Sequence, residues 1–351
     1  MGKRNCRVTR GGAKSLPFPH RAPHDRVMLG KMSVALALAS LLVAPLSGAH
    51  AEAAEPCAAA ATPRSAQIGA YTAIFERCAR DDGDARLATR RWRAGGQSML
   101  LLVDPQSLAT QVAPAQCWRC APTGDAEEAA TRFAQAVQGQ GKTPETPKAL
   151  ENAGLVHGQG AGVFVTGDLC PSRRPLDRGF LELLAKEGAG TPVALAVSGL
   201  WLARHADDLD WLRRQADSGA LTIAWVNHSY RHPYLRRLPD ERTFLLTPGV
   251  DMDAEIFKTE KLLLENGLTP SVFFRFPGLV SDAALMEKLR ARHLVALGAD
   301  SWLALGPRPR EGSIVLVHPN GNEPVGLAIF ARLLERGRIP KPLRRIEEAP
   351  R

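Results

Sequence analysis

Two histidines four residues apart, His228 and His232 in "NHSYRHPY", offer a pair of imidazole nitrogens to one cation. On a helical turn that spacing would put both rings on the same side. A third, oxygen donor would complete a zinc-type site with a position left for water, whose pKa the metal would lower while polarising a carbonyl. Asp168 in "TGDLCPS" can serve as that ligand or as a base. Arg275 in "RFPG" can hold a carboxylate through two parallel hydrogen bonds. His318 in "LVH" can protonate a leaving amine, because imidazole titrates near the working pH.

Elements able to bring these groups together follow from the texture of the chain after Gly160. Short apolar runs, "GVFVTGD", "TPVALAVSG", "LTIAWVN", "SVFFRFPG", "HLVALGAD" and "SIVLVHPNG", alternate with amphipathic helical stretches. Among the latter, "MDAEIFKTEKLLLENG" places Ile256, Phe257, Leu263 and Leu264 on one stripe and stops at Gly267, with Asp251 and Asp253 placed to cap its start. The last helix spans Pro324 to Gly337. Strands apolar throughout and alternating with helices imply a parallel sheet covered on its outer face, and six or seven such units fit a relative of the (β/α)₈ barrel. Asp168, His228, Arg275, Asp300 and His318 each close one apolar run, so in such a barrel they converge on the face where reactive groups sit.

The remainder of the 351 residues is less specific. Of the net charge of +9, +7 lies in residues 1–31, where eight Lys and Arg stand against Asp25 alone. The +2 left for the rest gives no electrostatic ground for nucleic-acid binding. The uncharged "MSVALALASLLVAPLSGAHA" that follows ends in Ala49-His50-Ala51 and reads as a secretory signal peptide. Residues 1–51 are therefore a basic leader and signal peptide, with translation expected to begin at Met28 or Met32 and no stable membrane span left after cleavage. Residues 52–150 read as a small α/β accessory region, with one strand-like run, "SMLLLVDP", one helix-like run, "DAEEAATRFAQAVQ", and a linker over 139–148. Export permits disulfides, for which Cys57–Cys78 and Cys117–Cys120 are plausible pairs that leave Cys170 over, although sequence does not fix connectivity.

In order and spacing, "TGDLCPS", "HSYRH", "RFPG", "DSW" and "LVH" resemble the five motifs of the polysaccharide deacetylases with the NodB homology domain, the carbohydrate esterase family 4-like enzymes. The resemblance covers roughly half the chain and implies a distorted (β/α) barrel over residues 155–345. It further implies His228, His232 and Asp168 as metal ligands, most simply for Zn2+, with His318 as general acid, Asp300 tuning that histidine and Arg275 orienting the catalytic carboxylate. Trp302 and Pro277 are expected to line a substrate groove. The implied reaction is metal-assisted hydrolysis of N-acetyl groups on an amino-sugar polymer of the peptidoglycan or poly-N-acetylglucosamine type, in the periplasm or outside the cell.

The sequence departs from the family at its first motif, which carries two acids in succession. Laid directly over it, "TGDLCPS" puts Asp168 at the base and Leu169 at the metal ligand. Shifted by one, Asp168 becomes the ligand and Gly167 the missing base. One carboxylate is absent in either register, with Cys170, Asp251 or water as substitutes for a lost oxygen ligand. The alternative reading is a carbohydrate-binding protein that keeps the barrel without turnover.

Overall fold

The computed structural model describes Cys57 and residues 67–123, 129–139 and 149–351. The leader, the signal-like stretch and all but Gly139 of the expected linker lie outside these residues. The described residues belong to one compact unit.

Seven parallel strands form the central sheet: β7 (Phe164–Leu169), β8 (Thr191–Val197), β9 (Leu221–Asn227), β10 (Pro270–Phe274), β12 (Val295–Ala296), β13 (Ser301–Trp302) and β14 (Ile314–Val317). Their order is β12-β10-β9-β8-β7-β14-β13. β12 and β13 thus form the two edges, and the short segment between them joins one edge to the other, giving a distorted (β/α) barrel. Side chains alternate across each strand. Phe164, Ala194, Ala196, Val226, Ile314 and Leu316 share one apolar cluster inside the barrel. Val165, Leu169, Val193, Leu195, Val197, Val315 and Val317 share another with the covering helices. Those helices include α2 (Arg178–Ala185), α3 (Gly199–Leu202), α4 (Ala206–Asp217), α5 (Met252–Glu265), α6 (Ala283–Arg290) and α7 (Pro324–Glu335). Asp251 accepts from the backbone amides of Asp253 and Ala254 and so caps α5. No helix among the described residues is long and apolar enough to cross a membrane.

The accessory region holds more strand than its composition suggests. β1 (Gly69–Ala79), β2 (Ala85–Ala94), β3 (Gln97–Val103), β4 (Thr110–Pro114) and β5 (Arg119–Pro122) form an antiparallel sheet in the order β4-β3-β2-β1-β5. One short helix follows, α1 (Arg132–Gln138). Two further two-residue strands, β6 (Leu150–Glu151) and β11 (Val280–Ser281), pair with each other. β1 and β2 escaped sequence reading because arginines interrupt their apolar alternation. One of these, Arg90, is buried. Its Nε and Nη2 meet Glu260 of α5 at 2.7 and 3.0 Å, and Tyr71 donates to the same carboxylate at 2.8 Å.

The cysteine pairing differs from the expected one. The bridges are Cys57–Cys117 and Cys78–Cys120. β1 and β5 pair with Cys78 directly opposite Cys120, a register that spacing along the chain does not reveal. Cys117 and Cys120 therefore bridge to separate partners and not to each other.

A buried ion pair is costly to break, because the remaining charge has no water to turn to. Arg90→Ala is expected to lower unfolding free energy in urea by about 3–5 kcal/mol. The double change Arg90→Met with Glu260→Leu should cost less than that single one, since no buried charge is left alone.

Candidate functional site

Asp168, His228, Arg275 and His318 meet where β7, β9, β10 and β14 end, and all four are buried. Arg275 ties the group together. Its Nη1 donates to Asp168 Oδ1 at 2.8 Å and to Thr166 Oγ1 at 2.7 Å. Its Nε and Nη2 reach the carbonyls of Leu297 and Gly298 at 3.2 and 2.9 Å, so one guanidinium joins β10 to β7 and to the segment between the edge strands. The other oxygen of Asp168, Oδ2, faces His228 Nε2 at 3.6 Å and His318 Nε2 at 3.9 Å. Burial alone would raise the Asp168 carboxyl, but the positive Arg275 and the two imidazoles outweigh it and hold the group below the usual carboxylate range.

The two histidines of "HSYRH" come together without a helix. Residues 228–232 are irregular, with Ser229 at φ 62° and His232 at φ 48°, and the rings lie 4.7 Å apart, edge to face. Left-handed backbone at non-glycine residues carries strain that the surroundings must hold. Here Asn227 Nδ2 is bonded to the Ile256 carbonyl of α5 at 2.9 Å. Glu255 of the same helix accepts from the Arg231 amide and Nε, both at 2.7 Å.

His228 Nδ1 lies 2.8 Å from the Arg275 carbonyl, which fixes its proton there and turns the Nε2 lone pair into the site. His232 Nε2 is buried and has no hydrogen-bond partner among the described residues. Burial lowers both imidazoles from their ordinary value, and the nearby His228 adds to the effect on His232, so both are held neutral. Neutral rings with inward lone pairs, one of them otherwise orphaned, suit a cation. Cys170 completes a group with these histidines whose donor atoms all lie within 4.8 Å of one another and that could hold a metal ion. Its sulfur is 3.6 Å from His228 Nε2. In this structure that sulfur is disulfide-bonded. Asp251 is committed to capping α5.

Asp300 does not tune His318. Its carboxylate accepts from the Ile314 amide at 2.9 Å and the Ser313 hydroxyl at 3.2 Å, and it meets His157 Nδ1 at 2.8 Å. Ile314 opens β14 and His318 follows its end, so about 13 Å of strand separates the two. The apolar run before Asp300 reads as a strand ending there, whereas β12 stops at Ala296 and Asp300 precedes β13. The carboxylate that does meet His318 is Glu323, with Oε2 2.8 Å from Nδ1. The same oxygen accepts from Trp302 Nε1 at 2.8 Å. Sequence reading missed Glu323, whose signal was an acid five residues beyond a strand-end histidine in a turn-rich "HPNGNEP".

Asp168, His228 and His318 share a small pocket with Trp302, Phe244, Gly278, Leu279 and Leu316. Pro277 is buried and does not line it. Gly278 carries φ 63°, and a Cβ there would fall 2.4 Å from the Phe244 ring, so this wall requires glycine.

No protein-family model matches the chain. Among solved structures it is similar to a family 4 carbohydrate esterase from Bacillus anthracis, at 18% identity over 58% of this chain and 97% of that one, with a TM-score of 0.42. It is also similar to a family 4 carbohydrate esterase from Bacillus subtilis, at 16% identity over 56% and 84% of the two chains, with a TM-score of 0.40. A third similar structure is a pseudoenzyme of that family from Bacillus anthracis, at 19% identity over 56% and 67%, with a TM-score of 0.37. At such identities the likeness concerns the fold.

Replacing Arg275 by Met strands a buried carboxylate and should cost about 3–5 kcal/mol in chemical denaturation near neutral pH. Asp168 has a lowered folded-state pKa, so the stabilisation it draws from Arg275 is present above the unfolded value of about 3.9. It is lost as pH falls through the folded value. The gap between wild type and Arg275→Met is therefore expected to narrow on acidification below about pH 4.

Proposed function

We propose that this chain is a metal-dependent hydrolase that removes N-acetyl groups from an amino-sugar polymer of the peptidoglycan or poly-N-acetylglucosamine type, acting after export. The observation that carries the reading is the meeting of Asp168, His228 and His318 around one pocket, with His232 packed against His228 and its Nε2 without a hydrogen-bond partner among the described residues. His228 and His232 would hold a divalent cation, most simply Zn2+, beside Asp168 Oδ2. When bound, that cation supplies Lewis acidity toward an amide carbonyl and lowers the pKa of a water.

The chain's own groups do the remaining work. Arg275 keeps Asp168 ionised and fixes Oδ1, leaving Oδ2 to accept a proton from the attacking water. His318 Nε2 faces the same oxygen; protonated there, it delivers that proton to the departing nitrogen, and the proton taken up by Asp168 Oδ2 replaces it. The carbonyl carbon gains the water oxygen and loses the C–N bond, so acetate and a free amine result. We assign Asp168 to the base, in the register that aligns Leu169 with the family's second acid; the contact with Arg275 supports this.

The absent second acid favours a different reading, a carbohydrate-binding protein without turnover. Acetate release from N-acetylglucosamine oligomers, with bound metal quantified on the same samples, separates the two. The hydrolase should carry stoichiometric zinc, and His228→Ala and His232→Ala should each lose both metal and acetate release. Asp168→Asn should keep metal while kcat falls by about two to four orders of magnitude. Metal without acetate on every polymer tried would instead mark a binding protein.

A further inference from the structure

The histidine opposite Asp168 needs a defined tautomer, and Asp300, bonded to the Ile314 amide at the opposite end of β14, is not placed to supply one. Glu323 is the residue before α7, where a side chain ordinarily caps the helix, yet it makes no capping bond. Its carboxylate turns back into the barrel mouth, is 6% exposed, and uses a single oxygen to accept from both His318 and Trp302.

The turn that allows this is itself held. Asn320 Nδ2 donates to the Cys170 carbonyl at 3.0 Å, and the Gly321 amide donates to Asp177 at 2.7 Å. Gly321 sits at φ 71° with Arg174 packed where a Cβ would stand. A buried carboxylate is costly unless its partners repay it. Placing one against an imidazole and an indole therefore marks a positional requirement, because a capping role would leave it in water at the helix end.

We infer that Glu323 is a positioning residue for the proposed hydrolysis, holding His318 by its Nδ1–H so that Nε2, toward Asp168, is the nitrogen that takes up and releases the transferred proton, while fixing Trp302 as the adjoining wall. The tautomer follows from the contact, since an ionised carboxylate only accepts and Nδ1 must then donate. The kinetic consequence rests on the hydrolase reading; the tautomer does not.

The test uses the full exported chain, zinc-loaded, and compares wild type with Glu323→Gln and Glu323→Ala. Nitrogen-15 NMR of the His318 ring, about two pH units above the ordinary imidazole value of 6.5, should report an Nδ1–H tautomer in wild type. Glu323→Gln retains an acceptor and should keep that tautomer. Glu323→Ala should shift it toward Nε2–H at unchanged zinc content. On N-acetylglucosamine oligomers, Glu323→Ala should lower kcat about a hundredfold, the lower end of what a placed general acid contributes, with KM altered far less, and Glu323→Gln should recover most of the loss. An Nε2–H tautomer in wild type would overturn the inference, as would a Glu323→Ala protein matching wild type in tautomer. Absence of turnover in wild type would refute the hydrolase reading while the tautomer comparison still decides the role of Glu323.

Discussion

A guanidinium with no access to water must find partners for its donors, and Arg275 makes four such bonds to two separate pieces of chain: Thr166 and Asp168 of β7, and the Leu297 and Gly298 carbonyls. The carbonyls of residues 297 and 298 are unpaired in the sheet because β12 ends at Ala296, so the incomplete edge of the barrel and the buried arginine satisfy each other. The same residue offers its own carbonyl to His228 Nδ1. Burial of this charge therefore sets the ionisation of Asp168 and the tautomer of His228 together, and a change at Arg275 reaches both sides of the pocket.

A second chain of contacts runs outward from the histidine loop. Ser229 and His232 are held in left-handed backbone. Asn227 and Arg231 fasten that segment to Ile256 and Glu255 at the start of α5. One helical turn on, Glu260 anchors α5 to Arg90 and Tyr71 of the antiparallel sheet. The accessory strands thus brace the helix that braces the strained loop.

The longer parallel strands, β7, β8, β9, β10 and β14, were legible because a sheet covered on both faces favours apolar runs, here of four to seven residues, bounded by polar ends. Asp168, His228, Arg275 and His318 were legible for the same reason, since a polar residue closing such a run points into the mouth of the barrel. Asp300 and Glu323 were not. The first follows an apolar run that is mostly loop, and the second returns to the site through a turn whose direction depends on Gly321 and its tethers. The antiparallel sheet was hidden because Arg90 is inside it, paired to a glutamate 170 residues away. Disulfide connectivity failed on similar grounds, being fixed by the β1–β5 register rather than by spacing.

Strand alternation also explains why position 169 holds a leucine beside the acid at 168. Thr166 and Asp168 point into the barrel, while Val165 and Leu169 pack under the helices. β7 remains regular to Leu169, so a carboxylate at that position would be buried among Leu181, Leu184 and Val197 with no partner, at a cost of several kcal/mol. The next inward position is 170, and it is there, not at 169, that a side chain approaches His228 Nε2. Leucine at 169 is thus what the apolar surroundings of that position require. The site is left with a single ionised oxygen, Asp168 Oδ2, set between two imidazoles.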